Sequence, residues 1–354
     1  MLEPPAELAE SDLLSALRAG WGVEAGTLEF LPLGAGSYQW AVADRDGRGH
    51  FVKVNELRGE AAFESLRRSL ATALALRHDA GLDFVLAPVP ARGGEVVRRL
   101  DHRYAVAVFP LLDGVSGEFG PHRPADRAAV VDMLADLHRA GSAVIQDQRA
   151  DSAAAGDEGA GSAISPPARL PTVPRADLRL PGRSRLEAVL RDTARPWNAG
   201  PYAEATRRVL AVNVSKIEEW LTEFDRLAAI VGADRAGWVV THGEPHPGNL
   251  LRTETGTFLI DWDTVQVAPP ERDLWMLTAG FADLLGEQPA GDDRAVLDRY
   301  RKSTGRAVSA AGLELYRRWW PLADIAIYAD ELHRPHTENA DLAASLRYLT
   351  GYLR

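Results

Sequence analysis

From Trp238 to Trp275 the chain reads WVVTHGEPHPGNLLRTETGTFLIDWDTVQVAPPERDLW, and this segment limits the fold more than any other. Apolar and β-branched residues lead into a loop, Leu250-Leu251 leave it, TETG makes a hairpin turn, and Phe258-Leu259-Ile260 runs into Asp261-Trp262-Asp263. Pro245 and Pro247 make a regular helix through the loop very unfavourable. The segment therefore reads as a loop carrying Glu244 and Asn249, tied by a short hairpin to a strand that ends in two carboxylates. Adjacent strand ends place Asn249 and Asp261 close together, which suits hard-oxygen coordination of Mg2+. Glu244 falls near them, able to receive a proton from a substrate hydroxyl.

The rest of the chain divides into a β-rich start and an α-rich remainder. Leu13, Leu14 and Leu17 recur at helical spacing between Ser11 and Gly20. TLEFLPL, YQWAVADR and HFVKVNEL then read as a β-meander, its second turn the hairpin-forming DGRG and its first the glycine-containing Gly34-Ala35-Gly36-Ser37. A helix is expected from Glu60 to Ala80, followed by strands at FVLAPVP and along VVRRLDHRYAVAVFPLL. After Leu112 the pattern becomes helical, first over Arg123 to Ala140 and later over Ser184 to Asp192 and Tyr202 to Val231. The stretch 146–174, rich in Ala, Gly, Ser, Asp and Pro, reads as a flexible surface insertion. The expected domains are 1–110, a small antiparallel-sheet lobe, and 111–354, a larger mainly helical lobe.

Composition removes several function classes. Forty basic against fifty acidic side chains give a net charge of -10, which argues against a general nucleic-acid or membrane-surface binder. The absence of cysteine excludes disulfides, thiolate nucleophiles and Cys-ligated metal centres. The acidic start lacks the features of a secretory signal, and no apolar run approaches the ~18 residues of a membrane span, so a cytoplasmic protein is expected.

The HG-E-x-H-x-x-N loop, the following IDWD and the trailing PPERDLW, together with the meander and Val52-Lys53-Val54, make the chain resemble the aminoglycoside phosphotransferase family. That family shares a bilobal, α+β protein-kinase-like fold with protein and choline kinases. The resemblance implies a Mg2+-dependent enzyme that moves the γ-phosphoryl group of ATP or GTP to a hydroxyl of a small molecule. It implies Glu244 as catalytic base, Asn249 and Asp261 as magnesium ligands, and Asp263 as an outer or second-metal ligand. Lys53 would contact the α- and β-phosphates, Gly34, Gly36 and Ser37 would cover the phosphates, and the segment around Val108 and Pro110 would offer backbone groups to the base. The helix acid pairing with Lys53 would be Glu64, with Glu60 the other candidate, although family spacing falls nearer Ser69. The implied partners are a nucleoside triphosphate and a hydroxylated acceptor, with no nucleic acid and no membrane. The acceptor expected first is an antibiotic, an aminoglycoside or aminocyclitol and next a nucleoside antibiotic, giving resistance or self-protection.

Three departures and three rival readings accompany this. Glu244 stands where many relatives have Asp, the glycine turn lacks the third glycine of GxGxxG, and the lysine's helix partner is ambiguous. A metabolic kinase for choline, a sugar or homoserine would carry the same residues. A nucleotide-binding pseudokinase is the reading if Glu244 does not support transfer. His242 and His246, at i and i+4 around a glutamate, suggest a zinc hydrolase, but that chemistry needs a helix. His242 is expected to be structural, and Asp273 to anchor a helix start or the catalytic loop.

Overall fold

The computed structural model describes residues 1–5, 7–34, 36–154, 173–288 and 291–354, the side chains of 142–154 excepted. The surface insertion read at 146–174 falls mainly on residues outside that set. The chain forms two compact units: Met1–Phe119, Ala129–Arg175 and Val239–Asp273 make the first, and Gly120–Ala128, Ala176–Trp238 and Leu274–Arg354 the second.

The first unit opens with helix α1 (Glu10–Trp21), ended by Gly22 in the left-handed conformation at φ 71°. A five-stranded antiparallel sheet follows, made of β1 (Ala25–Leu31), β2 (Ser37–Asp44), β3 (Gly49–Glu56), β4 (Arg98–Arg99) and β5 (Tyr104–Pro110) in the order β1-β2-β3-β5-β4. The DGRG turn closes because Asp44 Oδ1 accepts the N–H groups of Asp46 (2.9 Å) and Arg48 (2.8 Å). Alternation sorts the side chains: Trp40, Val42, Val52, Val54, Val106 and Val108 pack with Leu13 and Leu17 of α1. Ala105, Ala107 and Phe109 form the other face, packed with Leu66 and Leu70 of α2 (Glu60–His78). Lys53 and Asn55 alternate with Val52 and Val54 and so belong to the α2 face.

The expected strand at FVLAPVP does not form. Pro88 and Pro90 have no N–H for a ladder, and the segment keeps a bridge of Val85 to Leu259, a turn bond from Val85 N–H to Leu82 O at 3.0 Å, and a bond from Val89 N–H to Val108 O at 2.7 Å. The unit continues with β6 (Val115–Ser116), α3 (Pro124–Ala154), β7 (Val239–Thr241), β8 (Leu250–Thr253), β9 (Gly256–Leu259) and β10 (Gln266–Ala268). β7 pairs antiparallel with β10, while β6, β8 and β9 form a three-stranded sheet in that order.

The second unit is helical. α4 (Arg183–Asp192) and α5 (Ala203–Gly232) pack with the later helices Ala279–Leu285, Ala310–His333 and Ala340–Tyr352. Leu210, Ile217, Leu221 and Phe224 keep one stripe of α5 buried against Leu315, Leu322, Ile325 and Leu349. Side-chain caps mark the helix starts: Ser309 Oγ accepts Gly312 N–H at 3.2 Å, and Asn339 Oδ1 accepts Leu342 N–H at 2.8 Å. The small antiparallel sheet and larger helical part expected of an α+β chain are both present. Among the described residues no helix is long and apolar enough to cross a membrane.

Candidate active site

The loop from His242 to Asn249 is fixed by its own polar groups. His242 is fully buried; its Nε2–H donates to Ile260 O at 2.8 Å and its Nδ1 accepts Glu244 N–H at 3.2 Å, which sets the tautomer. Burial pushes the imidazole below its ordinary pKa, in line with a neutral ring packed edge-on to Trp262 at 4.7 Å. Pro247–Asn249 forms a single 3-10 turn, capped by His246 Nδ1 accepting Gly248 N–H at 3.1 Å. The two histidines therefore share no α-helical face. Among the described residues no group of three or more His, Cys, Asp or Glu side chains is placed to hold a metal, so the zinc-hydrolase reading finds no site.

Asp273, fully buried, anchors this loop. Its Oδ2 accepts His242 N–H at 3.0 Å and the His138 Nε2 proton at 2.9 Å, while Oδ1 accepts Gly243 N–H at 2.5 Å. Burial alone would raise this carboxyl, but the His138 hydrogen bond and charge hold it below the usual range. Gly243 has φ 103°, and a Cβ there would lie 2.2 Å from Arg272 Nη2. Arg272 in turn donates to Thr241 Oγ1 and to Thr264 O, both at 2.9 Å.

Asn249 joins the loop to the following strand end. Its backbone O accepts Ile260 N–H at 3.0 Å, and its Nδ2 donates to Glu244 O at 2.9 Å. The atom it can offer a cation is therefore Oδ1. Hairpin pairing of Leu250 with Leu259 carries the chain back to Asp261. Asp261 is non-glycine yet left-handed at φ 66°, a strained conformation of the sort found at functional sites.

Lys53, buried on β3, reaches Asp261 Oδ1 at 2.5 Å and Asp263 Oδ2 at 2.7 Å. Burial alone would lower the ammonium, but the two carboxylates outweigh it and hold it above its ordinary value. Burial would raise Asp261, and the Lys53 charge and hydrogen bond hold it low instead. Burial dominates at Asp263, aided by the Asp261 charge, and holds that carboxyl above its ordinary value. Lys53, Asn249, Asp261 and Asp263 thus belong to one hydrogen-bonded assembly with the loop that carries Glu244.

The pairing of Glu64 with Lys53 is not formed. Arg67 holds Glu64 through Nε at 3.1 Å and Nη2 at 2.9 Å, Arg68 stands at 3.9 Å, and Lys53 has two carboxylates of its own. Glu60 pairs with Arg99. Ser69, the position nearer the family spacing, is buried and donates to Val265 O at 3.1 Å, tying α2 to the chain just beyond Asp263.

Gly34 and Gly36 turn the chain between β1 and β2 with φ of 59° and 85°. Ser37 begins β2 with its side chain buried. On β5, Leu111 N–H bonds Gly49 O at 3.2 Å, so the odd-numbered residues bond β3; Val108 O is taken by Val89 N–H at 2.7 Å, so of the backbone groups expected to meet a base Val108 brings its N–H and Pro110 its carbonyl. Three contributors were missed in the sequence: His138, Asn55 and Arg272. Only the alternation of Asn55 with Lys53 on β3 was a usable signal.

Residues 27–311, more than half of the chain, match the profile of the phosphotransferase enzyme family (APH). The chain belongs to that family. A relative of this phosphotransferase, protein StrN of Streptomyces griseus, is 30% identical over 341 residues, 92% of this chain and 86% of its own length. Among solved structures, spectinomycin phosphotransferase APH(9)-Ia in complex with ADP and spectinomycin is similar with a TM-score of 0.69 at 17% identity, covering 98% of this chain and 94% of that one. Amicoumacin kinase hAmiN, in complex with AMP-PNP, Ca2+ and Ami, is similar with a TM-score of 0.59 at 15% identity, covering 98% and 94%. The microcompartment-associated aminopropanol kinase gives 0.59 at 17% identity, covering 98% and 95%. These likenesses establish the fold as kinase-like α+β.

Proposed function

We propose that this phosphotransferase transfers the γ-phosphoryl group of ATP or GTP to a hydroxyl of a small antibiotic, an aminoglycoside or aminocyclitol first and a nucleoside antibiotic next. The observation that carries the reading is the assembly in which Lys53 meets Asp261 and Asp263 while Asn249 ties Asp261's strand to the Glu244 loop. Solved relatives hold ADP with spectinomycin, and AMP-PNP with Ca2+ and Ami, which supports a nucleotide, a divalent cation and an antibiotic acceptor here. The biological result would be resistance or self-protection.

In this reading Glu244 receives the proton of the acceptor hydroxyl and orients its oxygen toward the phosphorus. Its backbone N–H is held by His242, so the carboxylate rests on a loop that Asp273 keeps rigid. Lys53 neutralises phosphate charge, the turn at Gly34, Gly36 and Ser37 covers the phosphates, and the β5 edge at Val108 and Pro110 meets the base. Asn249 Oδ1, Asp261 and Asp263 form an all-oxygen set that fits a hard divalent cation, and Asp263 Oδ1 is buried with no partner among the described residues. Such a cation, Mg2+, would offset charge on the phosphate oxygens. Residues 1–110 would then be the nucleotide lobe and 111–354 the catalytic and acceptor lobe, with the cytoplasm the expected compartment.

The test is turnover of purified protein with ATP or GTP and Mg2+ against a panel of hydroxylated antibiotics, alongside choline, sugars and homoserine. The expected result is a mass gain of one phosphoryl group on an antibiotic. Turnover of a metabolite alone would overturn the acceptor class, and no transfer to any acceptor would overturn the reaction.

A further inference from the structure

Two donors from one strand converge on a single carboxylate oxygen. Lys53 Nζ and Asn55 Nδ2, two residues apart on the α2 face of β3, each stand 2.7 Å from Asp263 Oδ2. Oδ2 is therefore supplied twice, whereas Asp263 Oδ1 is buried without a partner among the described residues. The Asn55 amide is also half satisfied: its Nδ2 is used, but its own Oδ1 is buried and likewise unpartnered. Exchanging the amide's oxygen and nitrogen would set acceptor against acceptor at Asp263, so the orientation is dictated by that carboxylate.

An amide that leaves a buried acceptor unmatched is a poor stabilising device, because an apolar side chain of the same shape would carry no such penalty. Its gain lies elsewhere: holding Oδ2 with two donors turns the remaining oxygen into a fixed, unshared acceptor. We propose that Asn55 is a positioning residue for Asp263, presenting Asp263 Oδ1 to the divalent cation that accompanies the nucleotide. This rests on the cation reading of Asp261 and Asp263 above. The arrangement places a control of cation affinity on the same strand as Lys53, so one strand serves both the phosphate charge and its counter-ion.

The test uses the full chain, Mn2+ as probe, a non-hydrolysable ATP analogue, and electron paramagnetic resonance to count bound Mn2+. Asn55→Leu removes the amide while keeping its approximate volume. It should weaken Mn2+ binding about tenfold, the scale on which outer partners of metal ligands act. Its affinity for the analogue in EDTA should stay within about twofold of wild type and its melting temperature should not fall, because no buried acceptor is left unmatched at that position. Asn55→Gln, which retains an amide donor, should recover part of the Mn2+ affinity. Asp261→Asn serves as the control for the underlying reading. If Asn55→Leu binds Mn2+ like wild type while Asp261→Asn loses it, the role of Asn55 is rejected and the cation site stands. If Asp261→Asn also binds Mn2+ like wild type, the cation reading fails and takes the role of Asn55 with it. A lower melting temperature for Asn55→Leu with unchanged Mn2+ affinity would show a purely structural asparagine.

Discussion

His138 and Asp273, separated by 135 positions in the chain, meet at 2.9 Å with both side chains fully buried. The same carboxylate holds the backbone N–H groups of His242 and Gly243, so one buried charge sets the entrance to the Glu244 loop. Asp273→Asn exchanges half of that acceptor capacity for a donor and leaves the loop N–H groups short of partners. Stability should fall by about 3 kcal/mol, the scale for breaking a buried pair, with turnover lost in parallel. Denaturant unfolding of the variant checks this, and a stability equal to wild type would remove the anchoring role.

Gly243 permits the approach of Arg272 to the loop backbone. Gly243→Ala places a Cβ within 2.2 Å of Arg272 Nη2 at a φ of 103°. A penalty of about 2 kcal/mol is expected from backbone strain and the displaced guanidinium. Gly36→Ala is the control, since its Cβ would meet nothing within 4 Å and only the φ of 85° is unfavourable. The melting temperature of the Gly243 variant should be the lower of the two.

Glu244 is the sharpest test of the proposed chemistry. Glu244→Gln and Glu244→Ala should lower kcat about 10²–10⁴-fold, the usual contribution of a positioned general base, with nucleotide Kd little changed. Glu244→Asp should fall between wild type and Glu244→Ala, because shortening the side chain withdraws the carboxylate from its position without removing it. A wild-type chain with no transfer activity, whose nucleotide affinity none of these changes alters, would favour the pseudokinase reading.

Asp324, on the helix Ala310–His333, gives a pH prediction in the second unit. Tyr352 donates its hydroxyl to Asp324 Oδ2 at 2.8 Å, yet burial pushes the carboxyl up to about 6. A carboxyl raised in the folded state binds its proton more tightly there than in the unfolded chain. Its contribution to stability is full below about pH 4, is lost as pH rises, and has gone above about pH 6. Asp324→Asn lacks this titration. The stability difference, variant minus wild type, should grow between those limits and then level off, by at most about 3 kcal/mol. Urea unfolding of both proteins from pH 4 to 8 checks it, and a pH-independent difference would contradict it.

Much of the fold and part of the site could be read from residue order. Alternation in YQWAVADR and HFVKVNEL showed the meander because strand side chains repeat every second residue. Pro88 and Pro90 defeated the expected strand at FVLAPVP, where apolar content outweighed the missing N–H groups in the reading. The loop, hairpin and strand end from His242 to Asp263 were legible because the hydrogen bonds that tie these residues to one another are local, the longest being His242 to Ile260 across 18 positions.

What the chain order determined by itself, then, is the family's motif segment, the sheet-then-helix division and the local geometry that links Asn249 to Asp261. The tertiary structure alone decided which partners meet across long separations. Lys53 chose Asp261 and Asp263, 208 and 210 positions away, over Glu64 on the neighbouring helix, and His138 found Asp273. A buried charge takes the partner whose geometry compensates its lost hydration, and that geometry exists only once the strands and helices have packed.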